Sequence, residues 1–152
     1  MSVNKRLEAL GIVLPKPLGA GALYTPVKQS GTTLYVSGQI PLVDGKPAYT
    51  GKVGNERTLE EAQQAARICI YNMLSAVQDY VKDLDKVKGV LKIFGLVQSD
   101  NGFDKQHLVI NVASQILIDV FGDEGWHARS AVGTNQLPMN VTVEIEGIFE
   151  LK

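Results

Sequence analysis

The sequence predicts an α+β protein with the element order ββαβαββ, a mixed sheet with two helices on one face. Three observations lead there. Two segments, 58–81 and 104–121, repeat apolar residues at three- and four-residue steps, the mark of amphipathic helices. The segment 87–98, VKGVLKIFGLVQ, is apolar on both faces over its middle, as strands covered on both sides are. The chain closes with two alternating segments around a turn at Pro138, which read as a strand hairpin.

Residues 1–22 read as an N-terminal extension ahead of a single domain at 23–152. The extension holds a short helix at 5–10 and then LPKPLGAGA, where proline disfavours helix in itself and in the residue before it. Strands follow at 23–29 and 33–39, with Ser30 and Gly31 at the turn. The loop IPLVDGKPAYTGKVGNE is rich in glycine and proline. Thr58-Leu-Glu-Glu61 then forms a capping box, in which a hydroxyl and a carboxylate satisfy free amides at a helix start. The helix runs to about Val81, with Ala62, Ala66, Cys69, Met73 and Val77 on its apolar stripe. The second helix carries Val109, Val112, Ala113, Ile116 and Val120, with Gly122 as its C-terminal cap. The doubly apolar strand at 87–98 needs cover on its second face. We expect another copy of the chain there, in a homo-oligomer with closed symmetry.

Composition narrows the function. The chain has 152 residues and a formal net charge of −1, so it lacks the basic footprint of nucleic-acid or anionic-membrane binding. No apolar run is long enough to cross a bilayer, and the N-terminus lacks a signal-peptide pattern. A single cysteine, Cys69, falls on an apolar helix stripe and reads as core. His107 and His127 have no partner at metal-ligand spacing and read as non-catalytic; no metal is expected. Gly19-Ala-Gly21 is not a phosphate loop, because no P-loop lysine follows. A reducing, cytoplasmic setting is the expectation.

The closing stretch, HARSAVGTNQLPMNVTVEIEGIF, poses the chemical question. Strand alternation puts Arg129 and Ala131 on one face, and Glu144 and Glu146 on one face of the next strand. With a turn centred near Leu137 and Pro138, Ala131 lies opposite Glu144 and Arg129 opposite Glu146. Two readings stay open. One is an exposed Arg–Glu ladder worth ~0–1 kcal/mol. The other is a site in which the planar fork of arginine binds a carboxylate and a glutamate holds or protonates water.

The motifs VSGQIP (36–41), ARSAVGTNQLP (128–138) and VTVEIEGIF (141–149) resemble the YjgF or reactive-intermediate-deaminase (Rid) family, also known as endoribonuclease L-PSP. The similarity spans about residues 20 to 150 with matching spacing. The extension and longer first loop resemble a longer subgroup of that family. The resemblance implies a chorismate-mutase-like fold and a homotrimer with sites between subunits. It also implies hydrolysis of enamines and imines such as 2-aminoacrylate to 2-oxo acids and ammonia, without metal or organic cofactor.

By the same resemblance, Arg129 matches the arginine that clamps the substrate carboxylate and Glu144 the glutamate that positions water. Tyr24 matches a tyrosine over the ligand, Gly38 a backbone contact, and Asn111 an asparagine reaching in from the second helix. Ala131 departs from the pattern, since the family often has cysteine there. The alternatives are a trimeric protein that binds small carboxylates without turnover and a ribonuclease or translation inhibitor. Neutral charge and the lack of a general-base histidine pair disfavour the ribonuclease.

Overall fold

The computed structural model describes all residues, 1–152. Five strands form one sheet in the order β1-β2-β7-β5-β6. They are β1 (Val27–Ser30), β2 (Thr33–Gln39), β5 (Val87–Gln98), β6 (Ala128–Thr134) and β7 (Val143–Leu151). A small separate hairpin, β3 (Leu42–Val43) and β4 (Lys46–Pro47), interrupts the long loop. It turns at Asp44 and Gly45, whose φ angles of 51° and 77° are those that an Asp-Gly turn adopts. The helices are α1 (Val3–Ala9), α2 (Leu59–Val81) and α3 (Gln106–Phe121).

Both long helices form where periodicity places them. Thr58 caps α2 through the expected box: its hydroxyl accepts from the Glu61 amide at 3.1 Å, and the Glu61 carboxylate accepts from the Thr58 amide at 3.1 Å. Gly122 ends α3 at φ 67°. The helices pack side by side on one face of the sheet. Met73 of α2 lies over Gly147, and Ile110 of α3 over Gly95. The buried core runs from Ile70, Met73 and Leu117 into Ile93, Ile145 and Phe149. Helix α1 joins this core through Val3 and Leu7, and Asn4 Nδ2 donates to Asp83 Oδ1 at 2.8 Å. Farther on, Ser75 Oγ donates to the Pro15 carbonyl at 2.6 Å and holds the proline segment along α2. No helix is long and apolar enough to cross a membrane.

Two local expectations are corrected. The first strand begins at Val27, not residue 23. Pro26 has no amide to give a ladder, and its carbonyl accepts instead from the Ser37 amide at 2.9 Å, which leaves Tyr24 in a bend. The larger correction concerns the closing hairpin: β6 and β7 do not pair. Strand β5 lies between them, parallel to β6 and antiparallel to β7. The physical reason is α3, because a helix between two strands returns the chain parallel to its start. The connector at 135–142 then passes the end of β5, with Met139 and Asn140 at φ 57° and 59°. Gln98 at that end donates its side-chain amide to the carbonyls of Asn140 and Val141 at 3.1 and 2.9 Å.

The second sheet face has no helix over it. Tyr35, Phe94, Leu96, Val132 and Ile148 lie there with Glu144 and Glu146, and Tyr35 is 49% exposed. On the covered side, close approach demands glycine at Gly89 of β5. A Cβ there would overlap the Glu124 carbonyl oxygen and sit 2.7 Å from the Glu124 Cβ. Gly89→Ala is therefore expected to cost about 1–3 kcal/mol, read as a lower urea midpoint at unchanged slope. Gly21→Ala, with nothing within 4 Å, should stay within about 0.5 kcal/mol of wild type.

Candidate functional site

The sheet register sorts the expected site residues into two groups. Arg129 pairs with Ile93 and Glu144 with Leu96. Positions 93 and 96 are an odd number of residues apart on β5, so the two side chains leave opposite faces of the sheet. The expected pairings of Ala131 with Glu144 and Arg129 with Glu146 are thus corrected: Ala131 pairs with Gly95, which faces Ile145 on β7, and Arg129 faces α3.

The first group stands between β6 and α3. Asn111 and Ser114 are one turn apart on α3, on the same side of the helix. Arg129 donates through one terminal nitrogen to Asn111 Oδ1 at 2.7 Å and the His107 carbonyl at 3.2 Å. Its other terminal nitrogen donates to Ser114 Oγ at 3.1 Å. All these acceptors are neutral, and no carboxylate in the chain lies within ion-pair distance of the guanidinium. Partial burial draws the Arg129 pKa down, yet an arginine keeps its charge, which stays uncompensated. The surrounding cleft, about 370 Å³, is lined by Asn111, Ser114, Gln115, Trp126, His127 and Arg129. Ala131 follows two residues along the same face of β6 and packs against the core edge.

The second group lies across the sheet. Strand β2 bulges between Val36 and Gln39, which carries Ser37 and Gly38 out of regular register with β7. Ser37 Oγ donates to the Thr25 carbonyl at 2.7 Å, and this ties the Tyr24 bend to the bulge. Tyr24, Ser37, Gly38, Pro138, Met139 and Glu144 line a cavity of about 610 Å³ that Glu146 also borders. Gly38 leaves the carboxylate its place: a Cβ there would lie 2.5 Å from Glu144 Oε2 and 2.9 Å from its Cδ, so the end of that side chain would have to move. The carboxylate thus rests on the bulge. Burial first, and then the charge of Glu146, push the Glu144 pKa above the ordinary carboxylate value. No salt bridge or side-chain hydrogen bond offsets that shift within the chain.

The structure therefore brings Tyr24, Gly38 and Glu144 together, and Arg129 with Asn111, but does not join the groups within one chain. No group of three or more His, Cys, Asp or Glu side chains is placed to hold a metal ion. Cys69 is fully buried, and burial pushes its thiol pKa well up. Sequence reasoning missed Ser114, His127 and Trp126 as neighbours of Arg129. Two signals were available. Ser114 is three residues from Asn111 on a helix, and His127 is two residues from Arg129 on an alternating strand.

Comparison with known proteins agrees with this fold. The family model described as "YjgF/chorismate mutase-like, putative endoribonuclease" matches residues 4–151. Protein TCP17 of Trypanosoma cruzi is 41% identical over 150 residues, covering 98% of this chain and 94% of that one. A 2-iminobutanoate/2-iminopropanoate deaminase of Dermatophagoides farinae is 31% identical over 138 residues, covering 91% of each. The crystal structure of Atu1372 from Agrobacterium tumefaciens, a protein of unknown function, superposes with a TM-score of 0.91 at 44% identity. It covers 99% of this chain and 92% of its own. With a five-stranded mixed sheet, two helices on one face and a family match from residue 4 to residue 151, the chain belongs to the YjgF/chorismate-mutase-like family.

Proposed function

We propose that this protein hydrolyses enamine and imine intermediates of the 2-aminoacrylate type to 2-oxo acids and ammonia, at sites formed between copies in a homotrimer. The observation that carries this reading is Arg129, a partly buried guanidinium bonded only to neutral oxygens, with no carboxylate of its own chain to balance it. The similarity to the Dermatophagoides farinae deaminase supports the reaction class. The uncovered sheet face supports association, because a contiguous apolar face of this kind marks an interface. In the proposed assembly Arg129, Asn111 and Ala131 of one copy meet Tyr24, Gly38 and Glu144 of the next.

The chemistry needs no more than these groups. The enamine first tautomerises to the imine, R–C(=NH)–COO⁻. Arg129 holds the carboxylate by charge-assisted hydrogen bonds. Water adds to the imine carbon while the Glu144 carboxylate takes a proton from it and the C=N π electrons move to nitrogen. That proton then passes to the nitrogen and gives the carbinolamine R–C(OH)(NH2)–COO⁻. Glu144 next takes the hydroxyl proton and delivers it to the amine, the C=O forms as the C–N bond breaks, and ammonia leaves the 2-oxo acid. Ala131, standing where the family often has cysteine, favours a second reading of carboxylate binding without turnover. Calorimetric binding of 2-oxo acids together with no catalysis would select it.

Three tests follow from the geometry. In a coupled assay where a dehydratase supplies 2-aminoacrylate, wild type should accelerate 2-oxo acid formation. Arg129→Ala should lower kcat/KM by about 100-fold or more, the equivalent of losing about 3 kcal/mol of charged hydrogen bonding. No acceleration by wild type, or an Arg129→Ala variant that matches it, sinks the proposal.

The second test uses pH. Glu144 works ionised, and its pKa is raised, so kcat/KM should fall as pH drops through a value above 4.5. Glu144→Gln should lose both the activity and that acid limb. The same shift has a sign in stability. A raised folded-state pKa favours the fold fully below the unfolded value and progressively less as pH rises through the folded one. Glu144→Gln should accordingly melt above wild type at neutral pH and lose that advantage below about pH 4.5.

The third test asks where the sites lie. Arg129→Ala and Glu144→Gln proteins, each inactive alone, should regain activity when unfolded together and reassembled. Random mixing restores both groups at about one site in four of a cyclic trimer. Sites contained within single chains would restore none.

A further inference from the structure

We infer that Ser114 and His127 are positioning residues for Arg129, forming a one-way hydrogen-bond relay that holds the guanidinium ready for a substrate carboxylate. The inference rests on the proposed reading of Arg129 as a carboxylate clamp and extends it to side chains outside the family motif.

The direction of the relay follows from donor and acceptor counts. His127 Nδ1 lies 2.6 Å from the Gly125 carbonyl oxygen, which can only accept. Nδ1 therefore carries the proton, and in the neutral ring Nε2 is left as an acceptor. Ser114 Oγ lies 2.9 Å from that Nε2, so the serine hydroxyl donates to histidine. This turns an oxygen lone pair of Ser114 toward the Arg129 nitrogen 3.1 Å away. Every proton in the chain Arg129, Ser114, His127, Gly125 then has one place to go. Burial, the largest influence, and the charge of Arg129 both lower the His127 pKa, while the Gly125 bond opposes them; the balance favours the neutral ring that the relay requires.

The relay is anchored to one rigid element. Gly125 sits against the backbone of α3: a Cβ on it would overlap the Leu117 carbonyl oxygen and lie 2.7 Å from the Ile118 Cα. Helix α3 also supplies Ser114, Asn111 and the His107 carbonyl. Arginine has a long flexible stem, and a fork left free samples many orientations. Here two of its three nitrogens are tied to α3 from one side. The Nε–H has no partner in the chain and, with the remaining terminal N–H, is left to bind an incoming anion.

Loss of orientation weakens substrate and transition state alike, so it should appear in KM and not in kcat. Ser114→Ala and His127→Phe are each expected to raise KM about tenfold, the scale of one net hydrogen bond, with kcat within about twofold of wild type. The double variant should be no worse than either single one, because both break the same relay. Ser114→Thr, which keeps the hydroxyl, should restore KM. Calorimetry with 2-oxobutanoate should show the same rise in Kd, while the uncharged 2-oxobutanamide, bound weakly, should be unaffected.

The controls separate two failures. If Arg129→Ala leaves 2-oxobutanoate binding intact, the clamp reading itself falls. If Arg129→Ala abolishes binding while Ser114→Ala and His127→Phe bind as wild type, the relay alone is overturned. Additive effects in the double variant, or a Ser114→Thr protein that folds yet behaves like Ser114→Ala, overturn it equally. Should Ser114→Ala fail to fold, Ser114→Thr and His127→Phe still decide.

Discussion

Strand β5 has apolar residues on both faces, and a strand of that kind demands neighbours on both edges and cover on both sides. It obtains β7 on one edge, β6 on the other, and α3 over one face. The rest of the site geometry depends on this placement. Because β5 separates β6 from β7, Arg129 and Glu144 cannot face each other across a ladder. Because α3 is the crossover between β5 and β6, it lies beside Arg129 and supplies the oxygens that hold it.

The separation has an electrostatic benefit. Direct cross-strand pairing would make an Arg–Glu ion pair that satisfied both charges at once. A guanidinium so quenched has less to offer a substrate carboxylate, and a glutamate so stabilised is a weaker base. With the sheet between them, neither is quenched within its own chain: Arg129 keeps an uncompensated charge, and Glu144 a pKa raised by burial and by Glu146. The cost is partial desolvation of two unpaired charges in a small fold, which tertiary packing elsewhere offsets.

Local features of this architecture were legible in the sequence. The bounds of α2, β2 and β5 follow from a capping box, an alternating run and a doubly apolar run, all encoded within the segment itself. The failures were non-local. Whether β6 pairs with β7 or with β5 is decided by α3, which lies outside the stretch that looked like a hairpin. A two-strand reading of 127–149 could not see the third strand between its halves. Tyr24 looked like a strand residue until Pro26 is recognised as unable to extend the ladder. The motif residues Arg129, Glu144, Tyr24, Gly38 and Asn111 were visible as motifs, whereas Ser114 and His127 meet only when a helix packs on a strand.

The two halves also carry a consequence for the base. In an isolated chain, burial and Glu146 both raise the Glu144 pKa. In the proposed assembly, Arg129 of a neighbouring copy approaches the same cavity, and a nearby cation lowers a carboxylate pKa. That would offset part of this rise in the empty site. A substrate carboxylate seated on Arg129 cancels the cation's charge and lifts the influence again. Substrate binding would then return Glu144 to the stronger basicity set by burial and Glu146, at the moment when water must lose a proton. Gly38 contributes, because it places no side-chain atom where the Glu144 carboxylate lies against the β2 bulge. The clamp, the glycine and the base would thus act as one electrostatic unit, switched on by the charge of the proposed substrate.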